Sequence, residues 1–368
     1  MNILVIGTDI SNCQAVNSIM NNIIERIVVS NNDVMFYTFG YGPDNKTISY
    51  SHHEINYIKN PFVGLSHIFC RIRRKMSRFF HIDSPFISDA YLKRNILKSL
   101  KQRPNLKIDC VIGAAGNFLY INVACKISRI LGCRFFTMFF DPFTDNESSL
   151  NKRKRLSHEL NWLKASEAIY YDEDGIKSNH YDLFSKKLRP FLIPIFEREK
   201  SSASNKNNIV YGGNFYRGFR ESNIILEFVR KKENLEYNFD IYSNFNFNNE
   251  SNNFINCTFH PMIDNDQFMS ICSNAKAIIV IGNGNLEKTL PSKLLEAISF
   301  KKPIIGLNFV EIPTVAKQYP LFFDGRQDGV LKEIDNISVE KINIYDIFPN
   351  RNPNILVDQL LLDLFQKE

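Results

Sequence analysis

The segment 276–308 has the pattern of a crossover between two parallel β-strands. An apolar run at 277–281 is followed by a loop rich in glycine and asparagine, and a second apolar run follows Pro303. Between the two runs, Pro291 and Ser292 form a typical helix start. Strands that are joined in this way by a helix belong to α/β domains with parallel sheets. The segment therefore predicts a strand, a loop, a helix and a second strand.

The start of this predicted helix has the features of an anion site. Ser292 is a good N-cap residue. The first-turn amides of Lys293, Leu294 and Leu295 are expected to have no partner within the helix. Together with the positive end of the helix dipole and the ammonium group of Lys293, they form a suitable site for a phosphate. Glu296, one turn further, can accept hydrogen bonds from sugar hydroxyls, although a crossover helix without any ligand fits the same pattern.

The residues around this helix start resemble a known nucleotide-sugar signature. Pro-Ser-Lys-Leu-Leu-Glu at 291–296, followed by Lys-Lys-Pro-Ile-Ile-Gly at 301–306, is similar to the donor-binding motif of the group 1 (retaining) glycosyltransferases, which have the GT-B fold. In that family the amides at this helix start hold the donor diphosphate, and the glutamate binds the ribose. The resemblance implies that Leu294 and Leu295 hold the diphosphate and that Glu296 binds the ribose.

One position departs from the best-known form of this signature. That form contains an earlier glutamate, separated from the later one by seven residues, which contacts the donor sugar. In this chain Lys288 occupies the corresponding position, and Glu287 precedes it. Either a shift of the loop by one residue lets Glu287 contact the sugar as a catalytic residue, or the chain resembles the branch of the family that lacks this glutamate.

The length of the chain and the order of its motifs predict two domains. A chain of 368 residues is too long for one ordinary core but suits two α/β domains. The resemblance implies the GT-B fold, an α/β architecture in which two Rossmann-like domains face each other across a cleft. We assign an N-terminal acceptor-side domain to 1–196, a polar linker to 197–207, a C-terminal nucleotide-sugar-binding domain to 208–350, and a helix that crosses back to the N-terminal domain to 351–368.

In the first domain, the candidate residues follow predicted strands, whose ends point towards the ligand in α/β domains. Gly7 and Asp9 follow the apolar run 3–6, on the acceptor side in GT-B enzymes, although a plain turn explains them equally well. Asp141 follows the strand pattern 133–140, where a carboxylate can orient or deprotonate an acceptor hydroxyl as a catalytic residue. The Asp-Pro-Phe turn there resembles the aspartate-proline-tryptophan turn of many relatives. Asp141 also fits as a cap of the turn before proline.

The second domain opens with a glycine and two arginines. Gly213 follows the strand pattern that begins at Asn208, and its lack of a side chain lets the chain approach a phosphate. Arg217 and Arg220 precede a predicted helix, and each guanidinium offers a planar fork of donors to a diphosphate. Solvent-exposed arginines on a surface loop are the alternative. His260, which follows another strand pattern, is predicted to be structural.

Residues 61–82 form a basic amphipathic pattern, because apolar residues recur there at helical spacing and no acid intervenes. A helix of this kind suits an anionic membrane surface, and an ordinary domain helix with a solvated basic face fits as well. Nucleic acid is not expected as a partner, since the aromatic residues line the apolar face and no nucleic-acid motif accompanies them. The five cations of the segment are Arg71, Arg73, Arg74, Lys75 and Arg78.

The remaining patterns favour a cytoplasmic protein without a metal centre. No apolar run approaches the roughly 20 residues that span a bilayer, and the first ten residues lack a signal-peptide pattern. The seven cysteines include no C-x-x-C pair, which favours reduced thiols. The acids at 172–174 look like a metal-binding D-x-D, but acids before a helix are ordinary, so we expect no metal. Segment 61–82 would allow peripheral attachment to the inner face of the plasma membrane.

These patterns together predict a glycosyltransferase of the hexosyl type. It would move a sugar from a nucleotide-diphosphate sugar to a hydroxyl without a cofactor, and the resemblance implies a retaining, metal-independent reaction. The basic segment 61–82 favours a lipid-linked glycan or oligosaccharide as the acceptor, in surface polysaccharide synthesis. Two alternatives would use the same phosphate site: a nucleotide-sugar epimerase of the same fold, and a non-catalytic nucleotide-sugar-binding partner of an assembly complex.

Replacing the five cations of 61–82 by glutamine should release the protein from anionic vesicles, because each cation near such a surface contributes about 1 kcal/mol to binding. Co-sedimentation with phosphatidylserine vesicles measures the loss, and neutral vesicles serve as the control. If the variant and the parent bind anionic vesicles equally, the segment is not a membrane-facing helix.

Overall fold

The computed structural model divides the chain into two compact units. Unit 1 comprises Met1–Ile193 and Asn354–Glu368, and unit 2 comprises Pro194–Pro353. The predicted linker, 197–207, lies mostly outside the residues that the structure describes. Those residues are 1–7, 23–24, 26–27, 33–40, 46–49, 53–59, 86–115, 118–139, 152–173, 179–198, 208–215, 221–244, 254–282, 291–337 and 342–365.

Unit 1 is built on a sheet of eight described strands. They are β1 (Asn2–Gly7), β2 (Asp33–Gly40), β3 (Lys46–Ser49), β4 (His53–Lys59), β5 (Cys110–Ala115), β6 (Arg134–Phe139), β7 (Ala168–Asp172) and β8 (Leu188–Phe191). Their order across the sheet is β3-β4-β2-β1-β5-β6-β7-β8. Neighbouring strands are parallel except β3 and β4, which are antiparallel. The carboxyl ends of seven of these strands therefore lie at one edge of the sheet.

Helices cover this sheet because its central strands are apolar along their whole length. Residues from Ile3 to Ile6 of β1 are at most 1% exposed, so both faces of the strand are buried, as in other parallel sheets. The described helices of this part of the chain are α1 (Phe86–Lys101), α2 (Phe118–Leu131), α3 (Lys152–Ala165) and a 3₁₀ segment at Asn179–Lys187. Leu92 and Ile96 of α1 share a core cluster with Ile121 and Ile127 of α2. Their helical spacing gives each helix one buried face.

Unit 2 contains a second parallel sheet, of six described strands. They are β9 (Asn208–Gly212), β10 (Asn238–Ser243), β11 (Cys257–Pro261), β12 (Ala277–Ile281), β13 (Ile304–Leu307) and β14 (Phe322–Asp324). Their order is β11-β10-β9-β12-β13-β14. The helices of the unit are α4 (Ser222–Arg230), α5 (Asn265–Asn274), α6 (Ser292–Ser299), α7 (Thr314–Gln318), α8 (Val330–Asn336) and α9 (Ile344–Ile347), with short 3₁₀ turns at Lys232–Asn234 and Pro349–Arg351.

The structure confirms the elements predicted for 276–308. Strand β12, helix α6 and strand β13 follow one another there, and β12 pairs with β13 in parallel, with Ile278 opposite Ile304. The loop between β12 and α6 lies in the part of the chain that is not described. With two parallel sheets flanked by helices, the predicted α/β class is also confirmed.

Three of the described strands were not predicted from the sequence. Strands β3, β4 and β14 carry no strong apolar pattern, since β3 and β4 mix polar and apolar residues and β14 has only three residues. Strand β5 begins at Cys110. The amide of Asp109 bonds to the carbonyl oxygen of Asn2 (3.0 Å), and its carboxylate accepts the Asn2 amide (2.7 Å), which holds the two strand starts together.

The last helix, α10 (Pro353–Phe365), belongs to unit 1 although it follows unit 2 in the chain. It buries an apolar stripe of Leu356, Leu360 and Leu364, each at most 4% exposed. None of the described helices is long and apolar enough to span a membrane.

A polar anchor holds the C-terminal end of α10 against strands β6, β7 and β8. The carboxylate of Asp363 accepts a hydrogen bond from the hydroxyl of Tyr170 (2.6 Å) and one from Nε of Arg189 (3.0 Å). Arg134 donates to the main-chain carbonyl oxygen of Asp363 (2.7 Å). Because the last carbonyl groups of a helix have no partner within the helix itself, the two arginines also complement the negative end of the α10 dipole.

Asp363→Ala should lower the free energy of unfolding of unit 1 by about 2 kcal/mol, because it removes the acceptor of the Tyr170 hydroxyl and the carboxylate that pairs with Arg189. Trp162, the single tryptophan of the chain, is buried in unit 1 and reports its unfolding in urea. Asp358→Ala is the matched control, since Asp358 is exposed on the same helix and should change stability by less than about 0.5 kcal/mol. Equal effects of the two substitutions would contradict the role given to Asp363.

Candidate functional site

Helix α6 begins at the edge of the second sheet where the parallel strands end. Strand β12 ends at Ile281, and the amide of Gly282 donates to the carbonyl oxygen of Leu307 at the end of β13 (2.8 Å). Helix α6 follows β12 in the chain and precedes β13, so its N-terminus lies on this carboxyl side. Open α/β sheets bind their ligands at this edge.

The first turn of α6 differs from the prediction in two respects. Pro291 is the N-cap residue, and Ser292, which was predicted to be the cap, is the first residue of the helix. The amide of Leu294 donates to the carbonyl oxygen of Pro291 (2.8 Å), so the prediction that this amide has no partner is wrong. The extended conformation of Pro291 (φ −61°, ψ 118°) lets its carbonyl close a tight i→i+3 turn. The helix dipole still points its positive end towards the strand ends.

The ammonium group of Lys293 connects this helix start to strand β9. Its Nζ donates a hydrogen bond to the carbonyl oxygen of Gly212, the last residue of β9. A Cβ atom placed on Gly213 would lie 3.1 Å from this Nζ and 3.0 Å from the hydroxyl oxygen of Tyr211. The amide of Gly213 donates to the carbonyl oxygen of Tyr242 in β10 (3.0 Å). The structure thus brings Gly213 and Lys293 together at the end of β9.

Leu294 and Leu295 fix the position of α6 through their side chains. Both are buried, at 0% and 4% exposure, and the next turn adds Ile298, which is fully buried. Their side chains therefore face the core, and only the main chain of these two residues can contact a ligand. The apolar stripe that the sequence shows is what places the helix start at the sheet edge.

Glu296 lies one turn beyond Lys293 in a partly buried position. Burial raises the pKa of its carboxyl group, while the positive charges of Lys293 and Arg198 act in the opposite direction. The thiol of Cys272 is fully buried nearby, and burial together with the Glu296 carboxylate raises its pKa. The carboxylate of Glu296 therefore lies in a low-polarity environment within the influence of two positive charges, which suits strong hydrogen bonding to hydroxyl groups.

Arg198 belongs to this site but was not a candidate in the sequence analysis. Its main-chain amide donates to the carbonyl oxygen of Ser299 at the end of α6 (3.1 Å), and its guanidinium carbon lies 5.3 Å from the centre of the Phe300 ring. These contacts hold its charge near Glu296. No spacing pattern could reveal them, because Arg198 lies almost 100 residues before α6 in the chain and stands in a segment that was assigned to the linker.

Another polar group lies on the opposite side of β9, around His260. This histidine lies within β11, and its Nε2 is 2.9 Å from Oδ1 of Asp240. Its ring is stacked on Tyr242, with 4.4 Å between the ring centres. Asn208 donates to the other carboxylate oxygen of Asp240 (2.7 Å). These contacts join three neighbouring strands and account for His260 by packing.

In unit 1, Gly7 is the last residue of β1 and lies opposite Ala114 of β5. A Cβ atom there would lie only 2.8 Å from the carbonyl oxygen of Ala114 and 3.2 Å from the ring of Phe36. Close packing of strand ends therefore explains this glycine without a ligand.

Several candidate residues lie outside the described part of the chain. The side chain of Ser292 is also not described, although its main chain is. The proposed roles of these residues stay predictions. They are Asp9, Asp141, Arg217, Arg220, Glu287 and the basic segment 61–82.

Within the described residues, no three side chains of His, Cys, Asp or Glu are grouped so that they could hold a metal ion. Asp172 ends strand β7, and the amide of Glu173 donates to the carbonyl oxygen of Phe191 (2.8 Å). The five described cysteines are free thiols, namely Cys110, Cys125, Cys133, Cys257 and Cys272.

Comparison with known proteins connects this architecture to a fold. No protein-family model matches the sequence, and no curated protein sequence matches it significantly. Solved structures do match over the whole chain. The apo structure of OtsA has a TM-score of 0.65 with 11% identity, covering 100% of this chain and 99% of OtsA. An alpha-glucosyltransferase in complex with UDP and a mismatched 13-mer DNA has a TM-score of 0.62 with 11% identity, covering 100% of both chains.

A third match is the Anabaena protein Alr3699/HepE in complex with UDP, with a TM-score of 0.57, 10% identity and 99% coverage of both chains. These neighbours are GT-B glycosyltransferases. At identities of 10–11%, the likeness establishes the fold. The chain has the GT-B fold, as the sequence predicted.

Gly212→Ala should destabilise unit 2 by about 1–3 kcal/mol, because the new Cβ would lie 2.2–2.7 Å from ring atoms of Phe268 and this partly buried ring would have to move. Gly213→Ala should cost less, since its Cβ would meet the mobile end of Lys293 and the hydroxyl of Tyr211 at 3.0–3.1 Å. Thermal unfolding of the two variants measures the difference. A larger loss for Gly213→Ala would contradict this packing of the β9 end.

Proposed function

We propose that the chain is a glycosyltransferase that takes its sugar from a nucleotide-diphosphate donor bound by unit 2. The observation that carries the proposal is the position of Lys293, which lies in the first turn of α6 and reaches the end of β9. It places an ammonium group and the positive end of a helix dipole at the ligand edge of a parallel sheet. UDP in the complexes of two neighbours with the same fold supports a nucleotide donor.

In this proposal the residues around α6 stabilise the departing diphosphate. Negative charge grows on the leaving oxygen as the bond to the sugar breaks, so fixed positive groups bind the transition state more strongly than the ground state. Lys293 and the helix dipole supply this charge, and Gly213 leaves room for the phosphates. The amide of Leu294 is already bonded to Pro291, so we assign diphosphate contact to Leu295 and to the Lys293 side chain. Arg217 and Arg220 would add guanidinium groups.

Glu296 would bind the ribose of the donor. Its carboxylate is held near Lys293 and Arg198 in a partly buried position, where hydrogen bonds to hydroxyl groups are stronger than in water. We extend the proposal to a retaining, metal-independent hexosyl transfer, with Glu287 contacting the sugar and Asp141 acting on the acceptor. These finer roles rest on the resemblance of 291–306 to the group 1 signature.

The acceptor is proposed to be a lipid-linked glycan in surface polysaccharide synthesis, at the inner face of a membrane. The support is the basic amphipathic pattern of 61–82. One neighbour with the same fold was solved in complex with DNA. Lys288, which stands where the signature has its first glutamate, favours the non-catalytic nucleotide-sugar-binding alternative.

Thermal unfolding with a panel of nucleoside diphosphates and their sugars, without added metal, tests the donor site. A ligand at 100 times its Kd should stabilise the protein by about 2.7 kcal/mol. Glu296→Ala should weaken the best ligand by roughly 10- to 100-fold, as expected for a hydrogen bond to a charged group. Glu333→Ala, which removes an exposed glutamate of α8, should leave the affinity unchanged.

Each outcome of this experiment has a defined meaning. No shift with any nucleotide, or equal affinity of the Glu296→Ala and Glu333→Ala variants, would overturn the donor site. A clear shift without sugar transfer to any of a set of lipid-linked acceptors, and without hydrolysis of the donor, would favour the non-catalytic alternative.

A further inference from the structure

A basic groove lies in unit 1, at the amino ends of its parallel strands and therefore opposite to their carboxyl ends. It encloses about 1170 Å³ between the second half of α1, the end of α2 and the segments that lead into β5 and β6. Asp109 and Cys133, which line it, directly precede β5 and β6. The groove therefore opens at the amino ends of these strands. Gly7 lies at the carboxyl end of β1, five residues or roughly 17 Å along the strand from Asn2.

One wall of the groove is a stripe of cations along α1. Arg94, Lys98 and Lys101 stand at i, i+4 and i+7, and all three are exposed, while Leu92 and Ile96 turn to the core. This spacing places the three charges on one face of the helix, one turn apart.

The positive charge of the groove is largely uncompensated. Of the seven basic residues that line it, Arg103 pairs with Glu54 (2.7 Å) and Arg134 pairs with Glu167. Its single acidic residue, Asp109, is engaged by the amide of Asn2. The other five form no ion pair within the described residues, and they are Lys93, Arg94, Lys98, Lys101 and Lys107.

The opposite wall of the groove is apolar. Ile130 and Leu131, at the end of α2, are 56% and 38% exposed. Leu97, Leu100 and Leu106 line the groove between this wall and the cations, and each is only partly buried. The groove thus has a basic wall on one side, an apolar wall on the other, and leucines on the floor between them.

We propose that this groove docks an acidic amphipathic helix of a partner protein. The cations of α1 repeat once per helical turn, so a helix that carries glutamates at the same spacing would meet each of them. The apolar side of such a helix would cover Ile130 and Leu131 and the leucines of the floor. Because the groove opens at the amino ends of the strands, a partner docked there leaves the carboxyl edge of the sheet open to ligands.

The shape and position of the groove favour a helix over a lipid surface. A bilayer is flat and would leave the floor of a concave groove unfilled. A bilayer bound at the groove would also hold the carboxyl ends of the strands away from the membrane. A site at those ends could then not reach a lipid-linked acceptor. The periodic spacing of the cations has no counterpart in a fluid lipid surface.

Fluorescence anisotropy with a labelled synthetic peptide of 18 residues tests the proposal. The probe carries leucines on one helical face and glutamates on both flanks, and a second peptide has the same composition in permuted order. The full-length chain should bind the first peptide and not the second. Neutralising the stripe with Arg94→Gln, Lys98→Gln and Lys101→Gln should weaken binding by about tenfold, given the modest contribution of each exposed charge pair.

Two further variants complete the design. Lys232→Gln, Lys317→Gln and Lys332→Gln together remove the same charge from exposed positions of unit 2 and should leave binding unchanged. Ile130→Ser with Leu131→Ser should weaken binding to the same degree at 50 mM and 500 mM NaCl, because the loss is apolar. Circular dichroism confirms that each variant is folded, which is expected since the altered side chains are exposed.

Three results would overturn the proposal. The first is equal affinity for the ordered and the permuted peptide. The second is equal affinity of the α1 variant and the unit 2 control variant. The third is binding of the chain to phosphatidylglycerol vesicles that the α1 substitutions abolish, without any binding of the peptide, which would assign the groove to a lipid surface.

Discussion

Parallel pairing of buried strands is the constraint on which the rest of this structure depends. In unit 2, β9 and β12 lie side by side, with Ile209 opposite Ala277, and two further described strands flank them on each side. Because these strands are apolar on both faces, helices must cover both sides, and each connection has to return to the same end before the next strand begins. As a result, the polar segments that follow the strands are collected at the carboxyl ends of the sheet.

The candidate site is a direct product of that arrangement. Helix α6 presents its first turn at the edge because Leu294, Leu295 and Ile298 are buried below it. Lys293 stands on the other side of the same turn and reaches the end of β9. Packing and chemistry therefore depend on neighbouring residues of one short sequence.

Much of the fold was predictable, since its signals are local. Three elements could each be recognised from a short local pattern: the strands at 277–281 and 3–6 and the helix start at Ser292. The structure reproduces their bounds within one residue. Strands β3, β4 and β14 escaped prediction because they depend on pairing partners rather than on their own composition. In the site, Gly213, Lys293 and Glu296 could be selected from sequence, whereas Arg198 could not, because its approach to α6 is a tertiary contact. The bond between Leu294 and Pro291 also escaped, since it depends on the conformation of a single proline.

The return of α10 to unit 1 has a consequence for how the chain folds during synthesis. Unit 2 is one continuous stretch, so all of its residues have been made before α10 is complete. Unit 1 must wait, since Arg189 and Asp363 are 174 positions apart in the chain. Until α10 has been made, the surface around Tyr170 and Arg134 is open to water. We therefore expect a nascent chain truncated before 353 to hold a finished second unit beside an unfinished first one, with the exposed sheet edge as a binding surface for chaperones.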